Sequence, residues 1–255
     1  MPEQYKSLSV VIPSRTQPKQ VEFLRRAIAS IKGQSVSMPL DIIVALDPGA
    51  APPVMEPAVT FVFAQRPSQA GALNAGLTKA SSDLLAFLED DDEWHPRFLE
   101  LALQGLTAAG FVSSTQLEVN ERDEILSIND FPTPSGWLMP MTTALTVGKF
   151  DESFRWHLDN EWLGRLGDSG IPRLHLVEAT APANYQRSKA VRPWLAGVVE
   201  QGGPASRIVR HNLLVPLVRR LVHSQSGMAQ VLGQQSAESD EERQRLISRF
   251  GRIPW

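Results

Sequence analysis

The sequence predicts an α/β fold: a mostly parallel central sheet flanked by helices, with a helical extension at the C-terminal end. Three observations predict it. Short apolar runs alternate with helical patterns through the first hundred residues. The runs Leu8–Ile12, Ile42–Leu46, Val59–Phe63 and Leu84–Leu88 are almost wholly apolar, as strands covered on both faces are. Each run stops at a polar or turn-forming loop.

Each element can be justified in turn. Strand one, Leu8–Ile12, ends at the turn Pro13-Ser14-Arg15-Thr16. Val21, Leu24, Ile28 and Ile31 then recur at helical spacing toward Gly33, a helix stop. Strand two ends at Asp47-Pro48-Gly49, a strong turn signal, and strand three follows a Pro-rich connection. Small residues over Ala70–Ala80 predict a helix before strand Leu84–Leu88, and Pro96 is placed to open the next one. Phe111–Val119 reads as a further strand and Asn120–Glu124 as a polar turn. Phe131–Gly136 reads as an irregular loop over the site, with Trp137 as a platform for a substrate ring. Ligands of open α/β sheets bind beyond the carboxyl ends of the strands, so the loops at 13–16, 47–49, 66–71 and 89–93 are expected to converge.

The most informative of these loops is Glu89-Asp90-Asp91-Asp92-Glu93, because a buried strand delivers it. Crowded carboxylates repel one another unless a cation neutralises them, and their hard oxygens suit Mg²⁺ or Mn²⁺. The plainer reading is an acidic first turn of the helix opened by Pro96. A second chemical signal lies in His157-Leu158-Asp159-Asn160-Glu161-Trp162. In a helix here, Leu158, Trp162 and Leu166 share one face and Asp159 sits in the opening turn. Glu161 has the spacing to pair with Arg165, which favours a structural role for it and a chemical one for Asp159.

With 255 residues and a net charge of −3, the chain fits one large domain or a domain with a short appendage. An apolar fraction of 42% and a charged fraction of 21% are those of ordinary globular proteins rather than disordered ones. The absence of cysteine excludes disulfides, zinc–thiolate sites and thiol catalysis, and fits a reducing cytoplasm. The net charge offers no general attraction to nucleic acid. The opening Met-Pro-Glu-Gln-Tyr-Lys has no signal-peptide pattern, and no stretch approaches the ~20 apolar residues of a membrane span. A cytoplasmic protein is the expectation.

From Leu8 to Gly170 the chain resembles the inverting glycosyltransferases of family 2, which have the GT-A fold, a Rossmann-like sheet flanked by helices. The matching pieces are Val10-Val11-Ile12-Pro13-Ser14-Arg15, Asp41 to Asp47, Gly71-Ala72-Leu73-Asn74-Ala75-Gly76-Leu77, the acidic run, Val147-Gly148-Lys149-Phe150-Asp151, and Asp159 through Leu166. Their order and spacing make the resemblance specific. It implies transfer of a sugar from a UDP-, GDP- or dTDP-sugar to a hydroxyl of a glycan, lipid-linked or other acceptor, assisted by Mn²⁺ or Mg²⁺. It further implies a nucleotide-binding part at 1–95 and an acceptor-binding part at 96–185 of a catalytic domain spanning 1–185, with 186–255 as the helical extension.

Residue roles follow from the same resemblance. Pro13, Ser14, Arg15 and Asp47 match the positions that hold the nucleobase, and Arg66 and Asn74 match donor contacts. Glu89-Asp90-Asp91 falls in register with the Asp-x-Asp signature, with Glu89 where the first Asp usually stands. Asp91 and Glu89 are then the metal ligands, Asp90 a ribose or metal contact, and Asp92 a supporting or acceptor-side group. Asp159 matches the general base, with Leu158 in place of the customary Glu and Glu161 as the alternative base or acceptor contact. Some related enzymes take a third metal ligand from a downstream His, for which His175 and His211 are candidates.

The segment 187–223 mixes Arg207, Arg210, Arg219 and Arg220 with apolar residues and reads as one or two amphipathic helices separated at Pro216. Two uses are open: peripheral contact with the inner face of a membrane, or packing on the catalytic domain. Ser224–Glu242 reads as a polar, loosely helical linker, and the tail Ile253-Pro254-Trp255 as a contact in a homo-oligomer. Two other functions share the nucleotide site. A sugar nucleotidyltransferase would carry a Gly-rich basic loop where Pro13-Ser14-Arg15-Thr16 stands, and a binding module without catalysis would accommodate Glu89 and Leu158.

Overall fold

The computed structural model describes residues 5–15, 18–54, 59–180, 205–223 and 236–255. Its centre is an eight-stranded sheet. β1 (Leu8–Ser14) pairs in parallel with β2 (Leu40–Leu46) on one side and β4 (Leu84–Phe87) on the other, and β3 (Val59–Phe63) adds to β2. Beyond β4 come β9 (Leu138–Pro140), β6 (Phe111–Ser114), β10 (Arg173–Val177) and β11 (Ser206–Arg210). β9 alone runs antiparallel within this sheet.

The alternation of side chains explains why β1 and β4 are largely apolar. Leu8, Val10 and Ile12 of β1, with Leu84 and Ala86 of β4, enter one core beside α1 (Pro18–Lys32) and α3 (Phe98–Gly105). Val11, Leu85 and Phe87 enter the opposite core. That second core also holds residues of α2 (Gln69–Lys79), α4 (Met141–Val147) and α5 (Leu158–Asp168). Both faces are dry, so neither can be polar. α2 lies so close to β1 that a Cβ on Gly76 would overlap the side chain of Val11, which fixes where the N-terminus of α2 points.

Trp137 was expected at the surface and is instead wholly buried in the second core. Its ring stacks on Trp162 with centroids 5.0 Å apart and meets Phe87, Phe111 and Phe150. Its Nε1–H donates to the Pro132 carbonyl at 2.8 Å, so no polar atom is left to hold it at the surface. Trp137→Ala should therefore lower the free energy of unfolding by about 3–5 kcal/mol. Equilibrium denaturation checks this; unchanged stability with altered acceptor use would restore the platform role.

A second sheet of four strands carries the other corrections. Phe111–Val119 is two strands, because the chain leaves the main sheet at Thr115 and continues as β7 (Gln116–Val119). β7 forms an antiparallel hairpin with β8 (Ile125–Asn129). It also pairs in parallel with β12 (Val218–Leu221), which in turn pairs with the short β5 (Glu93–Trp94). The expected helices over 205–223 are thus strands β11 and β12; the rest of 187–223 lies outside the described residues. Val218 and Leu221 are buried and Arg219 and Arg220 are engaged in ion pairs, so β12 does not present a free basic face, whereas Arg207 and Arg210 of β11 are exposed. The helical extension is α6 (Ser236–Phe250), which includes part of the expected linker. The tail is not displayed for a second copy: Trp255 is buried under the Arg173 guanidinium, and the Pro254 carbonyl accepts from Asn160. No described helix is long and apolar enough to cross a membrane.

Candidate functional site

β4 ends at Phe87, and the chain turns tightly so that the Asp92 N–H donates to the Glu89 carbonyl at 3.1 Å. The acids therefore lie on a turn that leads into β5, before α3, and not in the first turn of that helix. Glu89, Asp91 and Asp92 each offer an oxygen, all within 4.8 Å of one another. The short helical turn at Pro134–Gly136 holds this loop from beneath. Ser135 Oγ accepts from the Glu89 N–H at 3.1 Å and donates to Asp92 Oδ2 at 2.6 Å, and its carbonyl accepts from Trp94 Nε1 at 2.7 Å. Asp92 Oδ1 also accepts the Leu221 N–H at 3.2 Å.

Burial makes Glu89, Asp90 and Asp92 reluctant to ionise. Glu89 is pushed up to about 7, by burial first and by the neighbouring Asp91 second. Asp90 rises to about 7 for the same two reasons, and Asp92 is driven well above the usual range. Such a field is relieved by a cation. Arg220, reaching in from β12, is the cation the chain itself supplies. It bonds Glu118 at 3.1 Å, and Glu89, Asp92 and Asp91 all hold its guanidinium charged. The clustered hard oxygens fit a divalent ion. Asp90 Oδ2 is buried without a hydrogen-bond partner, a further acceptor left over at the same turn.

Five expected nucleotide contacts sit at the carboxyl edge as the topology requires. Ser14 hydrogen-bonds the Asp90 carboxyl and Arg15 adds positive potential to it, which joins the loop after β1 to the acidic turn. Pro13 is half-buried in β1 beside them, Asp47 half-buried at the end of β2, and Arg66 exposed just before α2. Asn74 is not with them. Its amide donates to the Phe150 carbonyl at 3.0 Å and to Glu152 at 3.2 Å, while its oxygen accepts the Phe150 N–H at 2.8 Å, so it ties α2 to the loop before α5. The residue of α2 that does reach the acids is Gln69, whose Nε2 donates to Glu89 Oε1 at 3.0 Å.

Asp159 lies in the first turn of α5 and its Oδ1 accepts the Asn160 N–H at 2.8 Å. Burial raises its pKa, opposed by His157 and by Arg220. Its charge in turn adds to the field that raises Glu89. The charge of Arg220 thus acts on both the acidic turn and Asp159. Glu161, in contrast, is locked between Arg165 and Arg249, with oxygens 2.8 Å from each guanidinium, and is not available as a base or acceptor contact.

Neither expected histidine joins the acids. His175 Nδ1 pairs with Ser113 Oγ at 2.8 Å inside the main sheet, and burial lowers its pKa to about 3. His211 accepts the Leu213 N–H at 3.2 Å and is lowered to about 4 by burial and by His95 and Arg97. The histidine that does join them is His223, whose Nε2 is 2.9 Å from Asp91 Oδ2. Its pKa is raised by that hydrogen bond above all. It closes the run Val218–Val222, which reads as helix in sequence; a strand reading of the same residues would have led to the acids.

Residues 9–124 match the model of glycosyl transferase family 2. No curated protein matches the sequence. Among solved structures, that of S. aureus TarS residues 1–349 in complex with UDP is similar with a TM-score of 0.55 and 10% identity, over 86% of this chain and 61% of that one. The structure of S. aureus TarS 1–349 alone is similar over 63% of this chain and 55% of that one, with a TM-score of 0.49 and 11% identity. The chain thus spans less than two thirds of either TarS chain. The family match covers β1 through the β7 turn, including the whole acidic loop. Residues 9–124 are thus similar to glycosyl transferase family 2, and the mostly parallel sheet with flanking helices is that of the GT-A fold.

Proposed function

We propose that this glycosyltransferase works by inversion, with a nucleotide sugar as donor, a hydroxyl group as acceptor and Mn²⁺ or Mg²⁺ as helper ion. The observation that carries the reading is the cluster of Glu89, Asp91 and Asp92, close enough to Asp159 of a different element for its charge to act on Glu89 and for that of Arg220 to act on both. Asp91, Glu89 and Asp92 would hold the ion, with His223 beside Asp91. When bound, it would offset the negative charge that develops on the departing diphosphate. Pro13, Ser14, Arg15, Asp47 and Arg66 form the nucleotide side, and Asp90 is joined to it through Ser14.

Asp159 serves the other reactant. Its carboxylate takes the proton of the acceptor hydroxyl as that oxygen bonds to the anomeric carbon; the bond from that carbon to the phosphate oxygen breaks on the opposite face and the nucleoside diphosphate leaves. A base with a raised pKa holds the proton more firmly in the transition state. TarS was solved with UDP, which supports UDP-sugars as the first donors to examine.

The pH dependence of ion binding follows from the raised carboxylates. A cation must displace protons from groups that titrate near 7, so its apparent affinity falls as pH drops, by up to about tenfold per unit for each proton displaced. Folding follows the opposite trend with pH: for Glu89 the stabilising contribution is complete below 4.5 and is lost as pH rises through about 7. Mn²⁺ should therefore raise the unfolding temperature more at pH 8 than at pH 6, and should do so further with UDP, GDP or dTDP present. Thermal unfolding with each nucleotide, with and without Mn²⁺, measures this; an equal or larger cation effect at pH 6 counts against the carboxylates as its ligands.

A further inference from the structure

The start of α5 is capped from the far end of the chain. His157, in the N-cap position, makes no capping hydrogen bond with its own side chain. Instead, three consecutive N–H groups donate to one carboxylate of α6: Arg155 to Glu242 Oε1 at 2.7 Å, and Trp156 and His157 to Oε2 at 2.9 Å each. An anion is well placed at a helix N-terminus, where the peptide dipoles and unpaired N–H groups point toward it. Glu242 is 7% exposed, so the three hydrogen bonds are shielded from water.

The neighbours of Glu242 on α6 act on the same short segment. Ser239 Oγ is 2.9 Å from His157 Nε2, and His157 Nδ1 is 3.1 Å from Asn160 Oδ1. Arg245 donates to the Ser153 carbonyl and hydroxyl at 3.1 and 2.6 Å and stacks over the Phe154 ring. Arg249 reaches Glu161 at 2.8 Å. Residues 239, 242, 245 and 249 recur at three- and four-residue spacing, so they form one face of the helix. Apolar contact alone would hold α6 in place, and Leu246 supplies it. Directed polar bonds do more, because they fix the orientation of what they grip. What they grip is 153–161, the segment that carries Asp159.

We propose that α6 is a clasp that sets the position of the catalytic base, with Glu242 as a positioning residue for Asp159. This rests on the reading of Asp159 as the base. The test uses the full chain with Glu242→Ala and Glu242→Gln, alongside Asp159→Asn. Amide hydrogen exchange over 153–161 should quicken in Glu242→Ala, by about tenfold or more at 155–157. Nucleoside diphosphate release from UDP-, GDP- and dTDP-sugars in Mn²⁺ should show kcat lowered about 10²-fold, with donor KM within about threefold. Glu242→Gln, which keeps one acceptor oxygen, should fall between that variant and the unaltered chain. Unchanged exchange in both Glu242 variants overturns the clasp, whether or not any donor turns over. Faster exchange with kcat unchanged also overturns it, and leaves the base reading standing so long as Asp159→Asn is inactive. An Asp159→Asn variant as fast as the unaltered chain overturns the base reading instead. If Glu242→Ala fails to fold, Glu242→Gln and Ser239→Ala carry the same readouts.

Discussion

Asp159→Asn should slow sugar transfer by about 10²–10⁴-fold, the usual worth of a positioned general base. Nucleotide affinity should stay within about threefold, because the change touches the acceptor side of the reaction. The substitution is mild in structural terms. The amide oxygen of Asn can still accept the Asn160 N–H that Asp159 Oδ1 accepts at 2.8 Å, so the first turn of α5 keeps its hydrogen bond. Glu161, the alternative base in the same turn, is held by Arg165 and Arg249. Steady-state kinetics with parallel nucleotide titration checks both halves of the expectation. A rate within about tenfold of the unaltered chain would remove Asp159 from the chemistry.

Asp91→Ala should have the second large effect, with a different signature. Asp91 is half-buried, one of the three clustered acids and the one bonded to His223. Its loss should lower turnover by about 10²–10³-fold, the range seen when a group stabilising transition-state charge is removed. It should also abolish the Mn²⁺-dependent gain in nucleotide affinity, which Asp159→Asn should preserve. The contrast between the two variants separates the leaving-group end of the site from the attacking end. Asp91→Ala that binds Mn²⁺ and nucleotide as before would show that the ion sits elsewhere.

The parts of this molecule legible in its sequence are those where one physical demand dominates. β1, β2 and β4 are covered on both faces, so their apolar runs stand out, as does the half-buried edge strand β3, and the acidic loop stands out because it follows a buried strand abruptly. Asp159 was legible for a weaker reason, through its place in a family pattern. The stretch 205–223 was misread because short apolar runs mixed with Arg have no clear period, and its strands β11 and β12 are specified by pairing with β10, β5 and β7, far away in sequence. Arg220 and His223 were lost with that misreading. Trp137 was misjudged from its neighbours: Pro, Thr, Ser and Gly around it suggested a surface loop, whereas those small residues let the turn at Pro134–Gly136 tuck beneath the acids. Ser135, Gln69 and Glu242 carry no signature of their own, since each acts through a partner at least 20 residues away.

The central claim is that the acidic turn and Asp159 form the two ends of one transferase site. Nucleoside diphosphate release from a panel of UDP-, GDP- and dTDP-sugars, measured with Mn²⁺ and again with EDTA, tests it most directly. Release is expected from at least one donor, strong in Mn²⁺, suppressed by EDTA and lost in both Asp91→Ala and Asp159→Asn. Release that ignores the chelator and survives both substitutions would contradict it, as would nucleotide binding with no turnover of any donor.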